Sequence, residues 1–203
     1  RKGEYKKDLA DLQKRGFQRV KVDGAFYEID KVPTLDKKLK HDIDIVVELI
    51  GGIEPARELI LAALQAGKPV VTGNKELLAN VGTELFAVAE ERQVDLLFEA
   101  AVAGGIPIVR ALRESLRGEP IRRVMGIING TTNFILTEMR SRGVGFDEAL
   151  GDAQRNGYAE TDPTFDVEGI DAGHKIALMS AMAFGVPVMF DQAHVEGITK
   201  IEQ

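Results

Sequence analysis

Between Gly157 and Lys175 the chain reads GYAETDPTFDVEGIDAGHK, with Glu160, Asp162, Asp166, Glu168 and Asp171 inside twelve residues. One cation, Lys175, follows the last of these carboxylates by four positions. Pro163 breaks the first half into a loop. From about Val167 the apolar positions Ile170, Ile176 and Ala177 recur at helical spacing. Asp171 and Lys175 then stand at i and i+4 on one helix face. The helix continues as IALMSAMAFG, too apolar for a surface, which puts that turn at the mouth of a buried element. A desolvated lysine ringed by carboxylates is a candidate proton donor and acceptor. The competing reading is a solvated acidic loop with one surface ion pair.

Such residues need a frame. From Ile43 the pattern alternates strand and helix, the mark of a parallel α/β sheet. IDIVVELI predicts a continuous strand buried on both faces and ending at Gly51-Gly52. Pro55 opens a helix that stops at Gly67, PVVTG is the next strand, and a helix runs from about Glu76 to Arg92. VDLLFEAAVAGGIP predicts a third strand running into a glycine-containing loop, followed by the helix IPIVRALRESLRG. IRRVMGIINGTTNFILTEM predicts a strand, a turn at Asn129-Gly130, and a helix capped by Thr131 or Thr132. Residues 146–156 form another helix, and HVEGITKI begins a strand. In sheets of this kind ligands bind beyond the carboxyl ends of the strands, where Gly51, Lys75 and the 99–106 loop all fall.

GYAETDP followed by DVEGIDAGHK resembles the substrate-binding segment of the homoserine dehydrogenase family. VVTGNK and FEAAVAGGIPIVRAL are similar to that family as well. The resemblance covers about residues 44–203 and implies interconversion of homoserine and aspartate semialdehyde with NADP or NAD. Carried over by position, it implies that Lys175 exchanges the proton on the substrate oxygen while Asp171 orients it or the substrate. Glu160 would bind the substrate, Lys75 would sit beside substrate and cofactor, and Gly51 and Gly157 would approach the cofactor. A structural sodium ion would be held by backbone carbonyls of Val102, Gly104 and Ile106 with help from Glu99, since hard cations take oxygen ligands. Two departures stand out. Gly73 replaces the family's alanine, and Gly173-His174 replaces its usual Ala-Arg.

The first 47 residues have another character. They hold 12 Lys/Arg against 9 Asp/Glu, +3, while the remaining 156 hold 14 against 23, −9. Residues 5–16 predict an amphipathic helix with Leu9 and Leu12 inward and a stop at Gly16. Phe17, Val20 and Val22 alternate with polar neighbours, Asp23-Gly24 makes a hairpin turn, and Phe26, Tyr27 and Ile29 follow. Interleaved acids and a small net charge argue against nucleic-acid binding. This stretch resembles the partner-contacting region of the bacterial excinuclease A subunit, with none of that family's Walker motifs, signature motif or zinc cysteines. The two resemblances overlap only in DIDIVV, as at a join between unrelated genes.

The expected class is α/β. A partial Rossmann-like sheet over 44–105 is followed by part of an α+β substrate domain over 106–203 and preceded by a small α+β segment over 1–43. With 44% hydrophobic and 29% charged residues the composition is that of a soluble globular protein. No apolar run approaches the roughly 18 residues of a membrane span and there is no signal peptide, so the cytoplasm is the default location. The absence of cysteine excludes disulfides, thiolate catalysis and cysteine-ligated zinc. Opening on Arg1 and stopping at Gln203, the chain reads as a fragment. The leading expectation is a homoserine dehydrogenase piece acting on a small molecule, from an enzyme that is a homo-oligomer when intact. The alternatives are an excision-repair interaction segment and a chimera without activity.

No G-x-G-x-x-G occurs in these 203 residues, and backbone amides of such a turn are what hold a dinucleotide pyrophosphate. This polypeptide should therefore bind NAD(P) weakly or undetectably. Calorimetric titration giving a dissociation constant of about 1 μM or below would overturn that expectation.

Overall fold

Short apolar stretches punctuated by Gly, Pro and Asx residues favour many small elements, and that is what the chain forms. The structure, a computed structural model, describes residues 4–14 and 19–202. The expected helix stop at Gly16 and the apolar Phe17 lie outside these residues, as does the side chain of Phe26. The chain divides into two compact units, residues 1–117 and 118–203.

In the first unit, helix α1 (Lys6–Lys14) precedes a hairpin of β1 (Arg19–Val22) and β2 (Ala25–Glu28). The hairpin register closes at Val22↔Ala25, and Asp23 and Gly24 take φ values of 50° and 83°. Both central residues are left-handed, as a tight two-residue hairpin turn requires. Val20 and Val22 point inward and pack with Ile29, Leu35 and Leu97, with Leu9 and Leu12 of α1 against them.

The run IDIVVELI is not one strand. Ile43–Asp44 forms β3 and pairs antiparallel with β1, whereas Val46–Glu48 forms β4 and pairs parallel with β5 (Val70–Thr72). The chain passes from one sheet to the other at Ile45, inside the DIDIVV overlap. Nor is the run buried on both faces, since Val47, Leu49 and Ile50 are 62%, 74% and 59% exposed. The reason is position: β4 is the edge of a sheet ordered β4-β5-β6, with β6 at Leu96–Leu97. Helix α2 (Ala56–Gln65) buries Ile60 and Leu64, and α3 (Lys75–Glu91) buries Leu77, Leu78 and Leu85. The expected helix after Pro107 is broken into α4 (Ile108–Arg110) and a π turn, Ala111–Ser115.

In the second unit, residues 121–128 pair with no described strand, leaving Met125 and Ile127 each 79% exposed. Apolar alternation alone cannot make a strand without a partner ladder. Helix α5 (Gly130–Arg142) ends at left-handed Gly143, and α6 (Phe146–Arg155) follows. A short α7 (Thr164–Val167) leads into α8 (Ile170–Phe184). The predicted terminal strand is instead a strap: Ile198 N–H donates to the Val167 carbonyl at 2.8 Å, and Thr199 Oγ1 to Glu168 at 3.0 Å. Ile135, Met139, Ala149, Ala153, Val167 and Ile198 form the core of this unit. No described helix is long and apolar enough to cross a membrane.

One polar clamp closes the amino-terminal hairpin. His41, buried, places Nδ1 2.5 Å from Asp23 Oδ2 and Nε2 2.9 Å from the Asp36 carbonyl, while Asp42 N–H donates to Asp23 Oδ1 at 2.9 Å. Both ring nitrogens face acceptors, a geometry that the doubly protonated imidazole satisfies. The Asp23 hydrogen bond, then that to Asp36, raises the His41 pKa above 6.5, and the His41 hydrogen bond lowers that of Asp23 below 3.8. A raised histidine pKa means stability fully present below pH 6.5 and lost as pH rises through the folded-state value. The depressed Asp23 value works at the other end, its contribution being lost as pH falls through it. Urea midpoints should therefore decline above pH 6.5 in the parent and decline less in His41→Ala. Identical slopes in the two proteins would show that the clamp does not hold the hairpin.

Candidate functional site

The acidic stretch gathers around the start of α8. Asp171 and Lys175 lie one helical turn apart, and Lys175 Nζ sits 2.5 Å from Asp171 Oδ2. The same nitrogen donates to the carbonyl of Ile128 at 2.7 Å. The side chains of Asp171 and Lys175 are 7% and 17% exposed, so this is not the solvated ion pair of the competing reading. Asn129 adds a second grip: its Nδ2 donates to Asp171 Oδ2 at 2.9 Å and to Asp166 Oδ1 at 2.6 Å. Its Oδ1 accepts from Thr132 N–H at 2.8 Å, which makes Asn129 the cap of α5 in place of the expected threonines. Asn and Asp are stronger caps than Thr, and Asn129 stands where the chain is still extended.

These groups line a cleft of about 570 Å³ with Gly130, Thr131, Phe134 and Tyr158. Phe134 and Tyr158 meet edge to face at 5.0 Å, and Thr131 Oγ1 donates to the Tyr158 carbonyl at 2.7 Å. Sequence reasoning placed Lys175 and Asp171 here. It assigned no role to Asn129, Asp166 or Tyr158, although Asp166 stood in the acidic stretch and Asn129 in the turn before a helix start. Glu160 is exposed and is not among the lining residues; the Glu160 carbonyl accepts from Gln154 Nε2 at 3.0 Å. Gly157 follows α6 with a φ of 74°, and nothing lies within 4 Å of where a Cβ would stand.

The other expected site residues belong to the first unit. Glu48, Thr72 and Asn74 form a buried network at the carboxyl ends of β4 and β5. Thr72 Oγ1 donates to Glu48 Oε2 at 2.5 Å, and Ile50 and Gly51 N–H donate to Glu48 Oε1 at 2.7 and 3.3 Å. Asn74 Nδ2 donates to the Gly52 carbonyl at 2.7 Å, and its Oδ1 caps α3 through Leu77 N–H. The loop holding Gly51 is thereby pinned with left-handed Gly51 and Gly52 open to added atoms, while Lys75 is the first residue of α3. Glu99 uses both carboxylate oxygens to accept Val109 and Arg110 N–H at 3.0 and 2.8 Å, and the Ile106 carbonyl accepts Ile108 N–H at 2.8 Å. Val102 is buried, and Ala103 and Gly104 have positive φ. An oxygen-only donor set of this kind suits a hard cation, although Glu99 and Ile106 already serve the start of α4. Among the described residues no three His, Cys, Asp or Glu gather to hold a metal.

The homoserine dehydrogenase family model matches residues 107–203, which include every group in the cleft. A solved homoserine dehydrogenase from Thiobacillus denitrificans is 60% identical with a TM-score of 0.76, covering 78% of this chain and 37% of that one. Most of this chain is thus similar to homoserine dehydrogenases. The enzyme of that name from Neisseria gonorrhoeae is 50% identical over 194 residues, 96% of this chain and 44% of its own length. A hyperthermophilic archaeal homoserine dehydrogenase solved in complex with NADPH is 36% identical, with a TM-score of 0.71 over 79% of this chain and 49% of that one. The chain thus spans less than half the length of the homoserine dehydrogenases it matches. A second family model, the UvrA interaction domain, matches residues 1–76. It runs beyond the 47 residues whose motifs carry that resemblance, and the Neisseria alignment reaches back into the same region.

The departure Gly173-His174 from the homoserine dehydrogenase motif has a packing reason. A Cβ at 173 would come within 2.8 Å of both Phe190 Cε2 and Val195 Cγ2, so the 190–195 segment approaches where the family's alanine would stand. His174 fills the adjacent space, 3% exposed, with the rings of Phe165 and Phe190 at 5.3 and 4.2 Å. Neither residue lines the cleft. Gly173→Ala gains about 1 kcal/mol of helix propensity but overpacks a buried contact at a cost of about 1–3 kcal/mol. A net loss of about 1 kcal/mol should follow, read as a lower denaturation midpoint, and a midpoint at or above that of the parent would show that the strap can move aside.

Proposed function

We propose that this chain carries the substrate-side proton-transfer apparatus of a homoserine dehydrogenase, which interconverts homoserine and aspartate semialdehyde. The observation that supports this most is Lys175 Nζ, held 2.5 Å from Asp171 and 2.7 Å from the Ile128 carbonyl at the wall of a cleft. Lys175 holds the proton for the substrate oxygen, delivering it as the aldehyde is reduced and taking it back in the reverse direction. Asp171 fixes where that nitrogen stands. Asp166, also in the cleft, is a carboxylate suited to a substrate ammonium group, and by family resemblance Glu160 shares that task.

Nicotinamide, when bound, supplies and accepts the hydride. The archaeal relative's complex with NADPH supports a dinucleotide of this class. Gly51 and Lys75 at the carboxyl ends of β4 and β5 are the groups of the first unit that would meet it, and by family resemblance Gly157 is the one from the second. A structural sodium ion at Val102, Gly104, Ile106 and Glu99, and a homo-oligomeric intact enzyme, complete the reading. For residues 1–43 a second reading, a protein-interaction segment, is favoured by the UvrA interaction domain match.

The decisive experiment joins this chain to the remaining parts of a homoserine dehydrogenase and measures turnover. Lys175→Ala should lower it by about 10²–10⁴, the usual worth of a positioned acid–base group, with cofactor affinity unchanged. Asp171→Ala should cost less. Turnover of Lys175→Ala within a few-fold of the parent would remove the lysine from the chemistry.

A further inference from the structure

We propose that Asn129 is a positioning residue for the Asp171–Lys175 pair, and that the dipeptide Ile128–Asn129 holds both members of that pair at once. The proposal rests on the proton-transfer reading above for its functional meaning, but its geometry stands alone. Asp171 and Lys175 share one helix, and spacing by four only brings their side chains near each other. It does not fix which carboxylate oxygen faces the lysine or where the lysine nitrogen stops. Two adjacent residues on the run into α5 supply both constraints. The Ile128 carbonyl accepts from Lys175 Nζ at 2.7 Å, and Asn129 Nδ2 donates to Asp171 Oδ2 at 2.9 Å. That Oδ2 is the same oxygen that lies 2.5 Å from Lys175.

The orientation of the Asn129 amide follows from its neighbours. Thr132 N–H, a donor that cannot reverse, points at Oδ1 from 2.8 Å, and Thr132 Oγ1 lies 3.0 Å from the same atom. A flipped amide would set NH₂ against N–H and a carbonyl oxygen against two carboxylates, so Nδ2 faces Asp166 and Asp171. Both of its hydrogens are then used, one at Asp166 Oδ1 (2.6 Å) and one at Asp171 Oδ2. With Asn129 only 7% exposed, water does not replace either bond cheaply. Lys175 Nζ has two of its hydrogens directed to Asp171 and Ile128, which leaves its remaining valence for a ligand oxygen in the cleft. Removing the Asn129 donor takes away one of the bonds that orient Asp171 Oδ2, and the lysine that shares this oxygen is held less firmly.

The test uses the 203-residue chain and two variants, Asn129→Ser and Asn129→Asp. Both residues cap helix N-termini well, so the capping role survives. Serine is too short to bridge the two carboxylates, and an ionised aspartate has no hydrogen to donate. The readout is hydrogen exchange at the Lys175 Nζ, followed by nitrogen-15 NMR, beside protection of the Thr132 amide. We expect exchange at Lys175 to accelerate by about tenfold in both variants, the scale of one lost buried hydrogen bond, with Thr132 protection kept. Exchange at Lys175 within twofold of the parent would overturn the proposal. Loss of Thr132 protection in both variants would also overturn it, by reducing Asn129 to a helix cap. A faster Lys175 in these variants together with an indifferent Lys175→Ala turnover would instead leave the positioning standing and remove the proton-transfer reading.

Discussion

A lysine taken out of water beside a carboxylate is favourable only if the pair's remaining polar atoms are also bonded. That requirement shapes the second unit. Lys175 needs a second acceptor, and the Ile128 carbonyl supplies it; Asp171 needs a second donor, and Asn129 supplies it. Both come from the extended run into α5, which therefore lies against the first turns of α8. The same amide reaches Asp166 on α7, which fixes the loop that Pro163 starts. Three segments of chain, the run into α5, α7 and α8, therefore converge on the Asn129 amide and the Asp171–Lys175 pair, and the cleft lies beside them.

The first unit solves a related problem with neutral donors. Glu48 is buried at the end of an edge strand and accepts from Thr72, Ile50 and Gly51, while Asn74 ties the Gly52 carbonyl to the first turn of α3. A buried carboxylate surrounded by donors stiffens the loop it faces, which here is the loop at the carboxyl ends of two parallel strands. The backbone amides of Ile50 and Gly51 are spent on Glu48, so this loop offers a ligand its glycine surface rather than an amide cradle. The unmatched edge of β4, with Val47, Leu49 and Ile50 exposed, is the other consequence of a sheet of three strands.

The amino-terminal hairpin shows how two stretches of different charge share a unit. Val20 and Val22 bury against Leu97 of the parallel sheet, and Arg19 N–H donates to Asp95 at 2.9 Å. The change from antiparallel to parallel pairing falls at Ile45, inside the longer stretch that both matches cover. Apolar strand residues with either set of neighbours satisfy the same local pattern, which is why such a stretch accepts two sheets.

The order of strands and helices from Val46 to Arg92, the Asp23-Gly24 turn, and the helical face joining Asp171 to Lys175 were all legible in the sequence. Each depends on residues near one another in the chain: periodicity, turn chemistry, and i to i+4 spacing. The family motif added the roles of residues that local pattern cannot assign. Other features had to wait for the tertiary structure. IDIVVELI divides because a strand's burial depends on its neighbours in the sheet, and VMGII and HVEGITKI stay unpaired because β propensity is realised only against a partner. Asn129 joined the site for the same reason, since its two carboxylates lie 37 and 42 residues away. Gly173 and His174, departures when read as motif, became a close approach and a ring contact once Phe190 and Val195 were in place. Spacing along the chain determined which groups could act; contacts between distant segments decided which ones stand together, because hydrogen-bond and packing partners of that kind leave no periodic trace in the sequence.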